Sequence, residues 1–407
     1  MKKNVAVLFG SRSVEHDVSI VTGIQLIENI DKEKYNVIPV YIAKDGEWYT
    51  GEKLADIAFV REFDKNAKGI KRVCLPPVPG TKGLLTCPES GGLFGRAKQE
   101  HIPVDVVIPA LHGLHGEDGT VQGLLELADI PYTSCGVVGS AAGMDKYVMK
   151  CAFRGAGVPV VDGVVFNRDE WEKDPDAVAN RLEAEVGYPM FIKPANLGSS
   201  IGISRADNRE KLFFAVTVAA AYDRRIIAEQ AVVDNIEINC SCVGFGGDVT
   251  ASVCEQPISW GELLDFSAKY LSGGGKPGTA SSGMASLNRL IPAPISEELT
   301  KKVQDLSVKI FKALDCKGVV RIDFLYDTKN DQLYANEINT IPGSFAFYLW
   351  EPLGIPYSEL IDKLIACAEL AHREKACSNY AFESDILKKT GLGAKGAKGG
   401  KFGKPNG

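Results

Sequence analysis

Apolar and polar positions recur along this chain with two different periods, and the period changes where the organisation changes. In the first third, "NVAVLFG" (4–10) reads as a buried strand, "SIVTGIQLIENI" (19–30) as a helix and "YNVIPVYIA" (35–43) as a second strand. A further buried run, "VDVVIPALHG" (104–113), leads into the helical "GTVQGLLELADI" and the short segment "PYTSCG". Strands alternating with helices predict a parallel sheet covered on both faces, and we place this first domain at residues 1–135. Residues 76–100, rich in Pro and Gly, read as an irregular excursion from it.

Beyond residue 136 the texture is α+β. A helix through "GMDKYVMKCAFRGAG" is followed by "PVVDGVVF", a charged helix near 171–187, and two short strands flanking the loop of "PMFIKPANLGSSIGISRA". A helix over 208–222 closes a second unit, which we bound at 136–225. From 226 to 375 the pattern is antiparallel. "IEINCSCVGF" and "DVTASVCEQPI" flank a Gly246-Gly247 turn, and "GVVRIDFLYD" and "QLYANEINT" flank the polar turn Thr328–Asp331, which makes two hairpins. Between them Ser296, followed by Glu297 and Glu298, caps a long helix through Leu314.

Composition narrows the class without naming a chemistry. A chain of 407 residues with 45% hydrophobic and 24% charged content suits two or three soluble domains. Its most apolar window, "FFAVTVAAA" at 213–221, is about half a membrane span, so no membrane insertion is expected. The start, "MKKNVAVLFGSRS", reads as a strand and loop rather than a signal peptide, which points to the cytoplasm. The ten cysteines are scattered and form no CxxC, so buried reduced thiols are the expectation rather than zinc. Net charge is −6, but the last twenty residues hold six of the 46 basic side chains and no acid. The remaining 40 basic groups face 52 acidic ones, a balance of −12, which disfavours a nucleic-acid partner. Residues 376–407 read as a disordered basic Gly/Lys tail, and its GxGxxG at 391–396 follows no strand and carries no nucleotide reading.

Four stretches carry candidate chemistry. In "VVRIDFLYD", Arg321 and Asp323 share a strand face, and in "LYANEINTIPGSF" so do Glu337 and Asn339. The hairpin sets the two strands side by side, so a guanidinium, two carboxylates and an amide share one surface. The bland alternative is a solvated, salt-bridged sheet face. Oxygen donors without His or Cys suit Mg²⁺, which leaves positions for substrate phosphates. In "FIKPANLGSSIGISR", Lys193 precedes a Gly-Ser loop able to approach phosphates; a plain hairpin loop explains the glycines equally well. "LLDFSAKYLSGGGKPGTASSG" (263–283) opens with Lys269-Tyr270 and has the length of an active-site lid. In "FGSRSVEHDVSIVTG", Glu15 follows a strand end, where open α/β sheets bind ligands; complementing the helix N-terminus is its other reading.

In this order, and with "LHGLHGEDGTVQGLLELADIPY" (111–132), "GMDK", "KPANLGSS", "AKYLSG" and "EINTIPG", the chain resembles the D-alanine–D-alanine ligases of the ATP-grasp family over roughly residues 4–370. The resemblance implies a three-domain architecture, α/β then α+β, with ATP between the second and third domains. It implies that Lys146 and Lys193 meet the ATP phosphates, Glu229 the adenine edge and Glu237 the ribose. Asp323, Glu337 and Asn339 would hold two Mg²⁺ ions, with Mn²⁺ as the alternative. Lys269 would add charge from the lid. Glu15 would take the first D-alanine's ammonium with Ser199 and Tyr270 bridging towards it, and Arg321 and the Gly343 N–H would receive the oxyanion.

One position departs from the family. Where its members carry a serine for the second substrate's carboxylate, this chain has Tyr348, so either Tyr348 or Ser344 would take that part. D-serine as acceptor, D-lactate (disfavoured by Tyr270) and a silent ATP-binding paralogue remain alternatives, and a homodimer stays open. A dinucleotide-dependent dehydrogenase lacks its glycine fingerprint here, since "FGSRSVEHD" has one glycine.

Overall fold

The computed structural model describes residues 2–88, 98–258 and 289–380. The first sheet holds β1 (Lys3–Gly10), β2 (Tyr35–Ile42), β3 (Trp48–Thr50), β4 (Lys71–Cys74), β5 (Gly83–Thr86), β6 (His101–Pro103) and β7 (Val106–Pro109), in the order β6-β5-β4-β3-β2-β1-β7. Only β2-β1-β7 is parallel. The other pairings are antiparallel, so the parallel sheet read from the sequence is a three-strand core with an antiparallel wing. The Pro/Gly-rich stretch contributes β5 to that wing, which corrects its reading as wholly irregular. Four-residue strands at a sheet edge carry too little alternation to show against Pro and Gly.

The second sheet is antiparallel, with β8 (Gly163–Asn167), β9 (Met190–Pro194), β10 (Ser204–Ala206) and β11 (Arg225–Gln230) in the order β10-β9-β11-β8. β11 pairs with both β8 and β9, so the central sheet runs through Gln230, past the boundary drawn at 225. Helices Pro175–Glu185 and Arg209–Ala220 cover it through Leu182, Leu212, Ala215 and Val216.

The third sheet, β14-β13-β12-β15-β16, is built from β12 (Asn235–Phe245), β13 (Asp248–Pro257), β14 (Arg289–Leu290), β15 (Lys317–Asp327) and β16 (Gln332–Asn339). Both hairpins form at the expected turns. Helix Glu297–Ala313 starts where expected, with the Ser296 side chain accepting from the Leu299 N–H at 3.1 Å. Its buried Val303, Ile310 and Phe311 pack under the sheet against Ile238, Val320 and Phe324.

The first and third domains share one core. Val5, Val7, Phe9 and Ile24 from the first cluster with Phe345, Trp350, Leu360 and Leu364 from the third. Trp350 is fully buried, with its Nε1–H on Ser241 Oγ at 3.2 Å. Residues 341–350, the turn leaving β16, are thereby wedged between two domains. Truncating Trp350 would cost about 3–5 kcal/mol and loosen the turn.

Candidate active site

Register places the polar residues of the third sheet in two rows across its strands. Glu255 on β13 lies opposite Asn239 on β12, Asn239 opposite Asp323 on β15, and Asp323 opposite Glu337 on β16. One step along, Ser241, Arg321 and Asn339 form a second row. Directly opposed residues in antiparallel strands have Cα atoms about 4.5–5.5 Å apart, so each row is a contiguous polar strip. Arg321 grips Asp323 with both arms, Nε to Oδ1 at 2.7 Å and Nη2 to Oδ2 at 2.8 Å, and Asn339 Nδ2 donates to Oδ2 at 3.0 Å. Arg321 and Asp323 are buried, which rules out the solvated-face alternative. Burial opposes the Arg321 charge, but Asp323 beside it outweighs this and keeps the guanidinium firmly protonated.

The strip is suited to a hard cation. Among the described residues no three His, Cys, Asp or Glu side chains gather as a self-sufficient metal cage. Two carboxylates and an amide supply only part of an octahedral shell, which fits an ion completed by phosphate oxygens and water. Asp323 Oδ1 thus accepts from Arg321 and Oδ2 from both Arg321 and Asn339, so the carboxylate is held in a fixed orientation. A bulge between Asp323 and Phe324 leaves Asn336 unpaired beside Glu337, and it re-aims the strand at this point.

At the end of the strip a cavity of about 390 Å³ opens between the second and third sheets. Phe191, Lys193, Glu229, Glu237, Leu325 and Glu337 are among its walls, which mix apolar and charged side chains. Glu229 does not present a free carboxylate to this space. Its Oε1 lies 2.6 Å from Lys150 Nζ and its Oε2 2.6 Å from Lys193 Nζ, and it is 2% exposed. Burial pushes the Glu229 carboxyl up, but the two ammoniums overcome this and hold it down at about 2. The carboxylate is thus committed to holding Lys193 rather than to an adenine edge. Lys150 is absent from the sequence reading, although its place four residues after Lys146 on one helix face is a usable signal.

Lys146 begins helix Lys146–Gly155, whose N-terminus is capped by Asp145 accepting from the Tyr147 and Val148 N–H groups. Its Nζ donates to the Leu197 carbonyl at 2.5 Å, which ties the helix start to the Gly-Ser loop. Burial lowers its pKa, against the nearby Glu337.

Glu15 follows β1 and is buried where the first domain meets that loop. The Ser199 hydroxyl donates to Glu15 Oε1. Two glycines make room: a Cβ on Gly113 (φ 71°) would lie 2.5 Å from Glu15 Oε2, and one on Gly198 would lie 2.8 Å from it. Glu117, another residue the sequence reading missed, clamps two loops together. Its Oε2 accepts from the Gly113 N–H at 2.9 Å and its Oε1 from the Ile341 N–H at 3.0 Å. Burial and the adjacent Glu15 push its carboxyl up to about 8, against those two N–H groups.

The turn after β16 carries Gly343 and then three successive left-handed residues, Ser344, Phe345 and Ala346, with φ of 52°, 54° and 50°. Such backbone costs about 1–2 kcal/mol per residue and persists only where its surroundings hold it. Here Thr22 Oγ1 accepts from the Ser344 N–H at 3.2 Å and meets His112 Nε2 at 2.8 Å. Burial lowers the His112 pKa to about 4, so the ring is neutral at physiological pH. The Ser344 hydroxyl is buried and has no hydrogen-bond partner among the described residues. The Tyr348 hydroxyl is committed, donating to Glu255 Oε1 at 3.2 Å. Lys269 and Tyr270 lie outside the described residues.

The geometry therefore gathers Glu15, Ser199, Lys146, Lys193, Arg321, Asp323, Glu337 and Asn339 around one junction of three domains. Two family models match the chain, "D-ala D-ala ligase N-terminus" over residues 4–135 and "D-ala D-ala ligase C-terminus" over residues 152–366. The chain belongs to the D-alanine–D-alanine ligase family. It is 41% identical over 382 residues to the D-alanine–D-alanine ligase of Thermoanaerobacter sp. (strain X514), covering 92% of this chain and 98% of that one. The enzyme of the same name from Geobacillus thermodenitrificans is 39% identical, over 94% of this chain and the whole of the relative. Among solved structures, VanG D-Ala:D-Ser ligase from Enterococcus faecalis superposes with a TM-score of 0.75 at 30% identity, covering 90% of this chain and 100% of that one. The D-alanine–D-alanine ligase from Coxiella burnetii gives 0.72 at 28%, covering 92% and 97%. The fold is that of the ATP-grasp D-alanine ligases, as the resemblance implied. No helix among the described residues is long and apolar enough to cross a membrane.

Proposed function

We propose that this protein joins two D-alanine molecules into D-alanyl-D-alanine at the expense of ATP, as a cytoplasmic step towards peptidoglycan precursors. The carrying observation is the pair of rows in which Arg321 and Asp323 face Asn339 and Glu337 beside a cavity walled by Lys193. A carboxylate must be activated before an amine can displace its oxygen. Attack of the first D-alanine's carboxylate on the γ-phosphoryl group of ATP gives an acyl phosphate and ADP. The second D-alanine's amine then attacks the carbonyl, and phosphate leaves.

Each residue has a part in this reading. Lys146 and Lys193 neutralise phosphate charge, with Lys193 held in place by Glu229 and Lys150. Glu237 borders the slot where the ribose would lie. Asp323, Glu337 and Asn339 would hold two Mg²⁺ ions, or Mn²⁺, which when bound offset phosphate charge and orient the transferring group. Glu15, oriented by the Ser199 hydroxyl, takes the first substrate's ammonium. Arg321 and the Gly343 N–H stabilise the tetrahedral oxyanion, the N–H pre-positioned by the clamped turn. Lys269 and Tyr270, outside the described residues, would complete the site as the resemblance implies, and a closed site would keep water from hydrolysing the acyl phosphate.

D-serine as acceptor is the second reading, favoured by the VanG superposition; the 41% relative, named for D-alanine alone, weighs more. The test is ADP release from ATP and Mg²⁺ with and without D-alanine. Strict dependence on D-alanine supports ligation, and release without it would mark a plain ATPase.

A further inference from the structure

Another cavity lies on the seam between the first and third domains, and the reaction as described leaves it unused. Its volume is about 490 Å³, within the range of small-molecule sites. Leu127, Ile130, Pro131 and Tyr132 line it from the first domain, and Lys317, at the start of β15, from the third. Gly318 permits this close approach, since its φ is 73° and a Cβ there would collide with the Thr133 carbonyl. Lys317 is 9% exposed. Its Nζ sits 3.5 Å from the Tyr132 ring centroid and donates to the Tyr132 carbonyl at 3.2 Å.

The acids on this seam are already paired. Glu126, on helix Thr120–Ala128, meets Lys375 through Oε2 and accepts from the Tyr132 hydroxyl through Oε1 at 2.7 Å. Asp129 Oδ1 lies 2.9 Å from His372 Nε2. Lys317 forms no ion pair with an acid among the described residues, and two of its three N–H bonds meet no acceptor among them. A carbonyl and a ring face offset part of the cost of burying an ammonium, but neither is a counter-charge. Burial lowers the Lys317 pKa to about 8, so the amine is still a cation at neutral pH.

We propose that this cavity binds an organic monocarboxylate with an apolar body, its carboxylate on Lys317 and its body against Leu127, Ile130 and Pro131. One unpaired cation suits one negative charge, and a phosphate dianion would leave its second charge among apolar walls. A zwitterionic amino acid fits less well, because its ammonium would find Glu126 and Asp129 already engaged. An uncharged ligand would leave the buried ammonium without a counter-ion. Lys317 stands four residues before Arg321 on β15, about 13 Å along the strand, so the site is separate from the proposed ligation centre.

Isothermal titration of the full-length protein with phenylacetate and with its uncharged analogue phenylacetamide tests the site, with inorganic phosphate as a competitor. Wild type should bind the acid at least ~10-fold more tightly than the amide, the worth of one charge-assisted hydrogen bond. Phosphate should not displace phenylacetate. Lys317→Met keeps the length of the stem and removes the charge, so acid and amide should bind alike. Leu127→Trp fills the cavity from its exposed wall with Lys317 intact, and should weaken both ligands at least ~10-fold. That variant decides the matter should Lys317→Met fail to fold, and retained ADP release with D-alanine reports folding in each. Equal binding of acid and amide by wild type would overturn the assignment. So would an acid preference that survives in Lys317→Met, undiminished binding in Leu127→Trp, or displacement of phenylacetate by phosphate.

Discussion

Replacing Glu229 with Gln tests whether a buried lysine–glutamate–lysine chain, rather than direct contact with the nucleotide, is what this acid provides. The carboxyl is held at about 2 against an ordinary 4.5, which corresponds to ~3 kcal/mol of stability at neutral pH. Because the folded-state value is depressed, that contribution is complete above pH 4.5 and is lost as pH falls towards 2. Gln removes it and leaves Lys150, 2% exposed at its side chain, facing no counter-charge. An uncompensated buried ion costs about 3–5 kcal/mol, limited here because burial already lowers the Lys150 pKa and lets it shed its proton. Thermal unfolding of Glu229→Gln should therefore fall by several degrees, and the KM for ATP should rise about tenfold as Lys193 loses its brace. The double variant Lys150→Met/Glu229→Gln removes both buried partners. It should recover most of the stability and none of the ATP affinity. A single variant with wild-type melting, or a double variant that regains its ATP KM, would refute the bracing role.

Three other outcomes follow from the same geometry. Glu337→Gln should lower turnover at least ~10³-fold with an unchanged melting temperature, and added Mn²⁺ should recover little of it; phosphate release at the wild-type rate would remove Glu337 from the site. Glu117→Gln leaves one of two backbone N–H groups facing a donor, a loss of about 1–3 kcal/mol. Its raised carboxyl also gives a pH signature: the stability it contributes is present below pH 4.5 and is lost as pH rises through about 8. Wild type should therefore lose more melting temperature between pH 6 and pH 9 than the variant does, as measured by calorimetry. Deleting residues 388–407 should leave kcat and both KM values within twofold, and a large loss would give the basic tail a part in catalysis.

Both hairpins were legible because each has a polar turn between alternating strands, and the turn sets the register. Counted from the turn, that register would set Asn336 opposite Asp323; the bulge between Asp323 and Phe324 shifts it by one residue and brings Arg321 and Asp323 opposite Asn339 and Glu337. The Glu255 end of the polar row was not legible. Glu255 and Asn239 meet only because the β12–β13 pairing shifts between Cys240 and Cys242, and a bulge breaks the count that alternation relies on. Arg289 reaches them from a two-residue strand with no periodicity of its own. Lys150 and Glu117 stayed hidden for a different reason. A charged residue on a helix or loop reads as solvated until its partner, 79 residues away in the Lys150–Glu229 pair, is known. The three left-handed residues after Gly343 also gave no sign, since Ser, Phe and Ala do not favour that backbone and tertiary packing imposes it.

The most direct test follows the oxygen. With D-alanine labelled by ¹⁸O in its carboxylate, the wild-type enzyme, ATP and Mg²⁺ should yield D-alanyl-D-alanine and inorganic phosphate carrying one ¹⁸O atom. Unlabelled phosphate alongside dipeptide, or labelled phosphate only when D-alanine is replaced by another acid, would contradict activation of D-alanine at this sheet face.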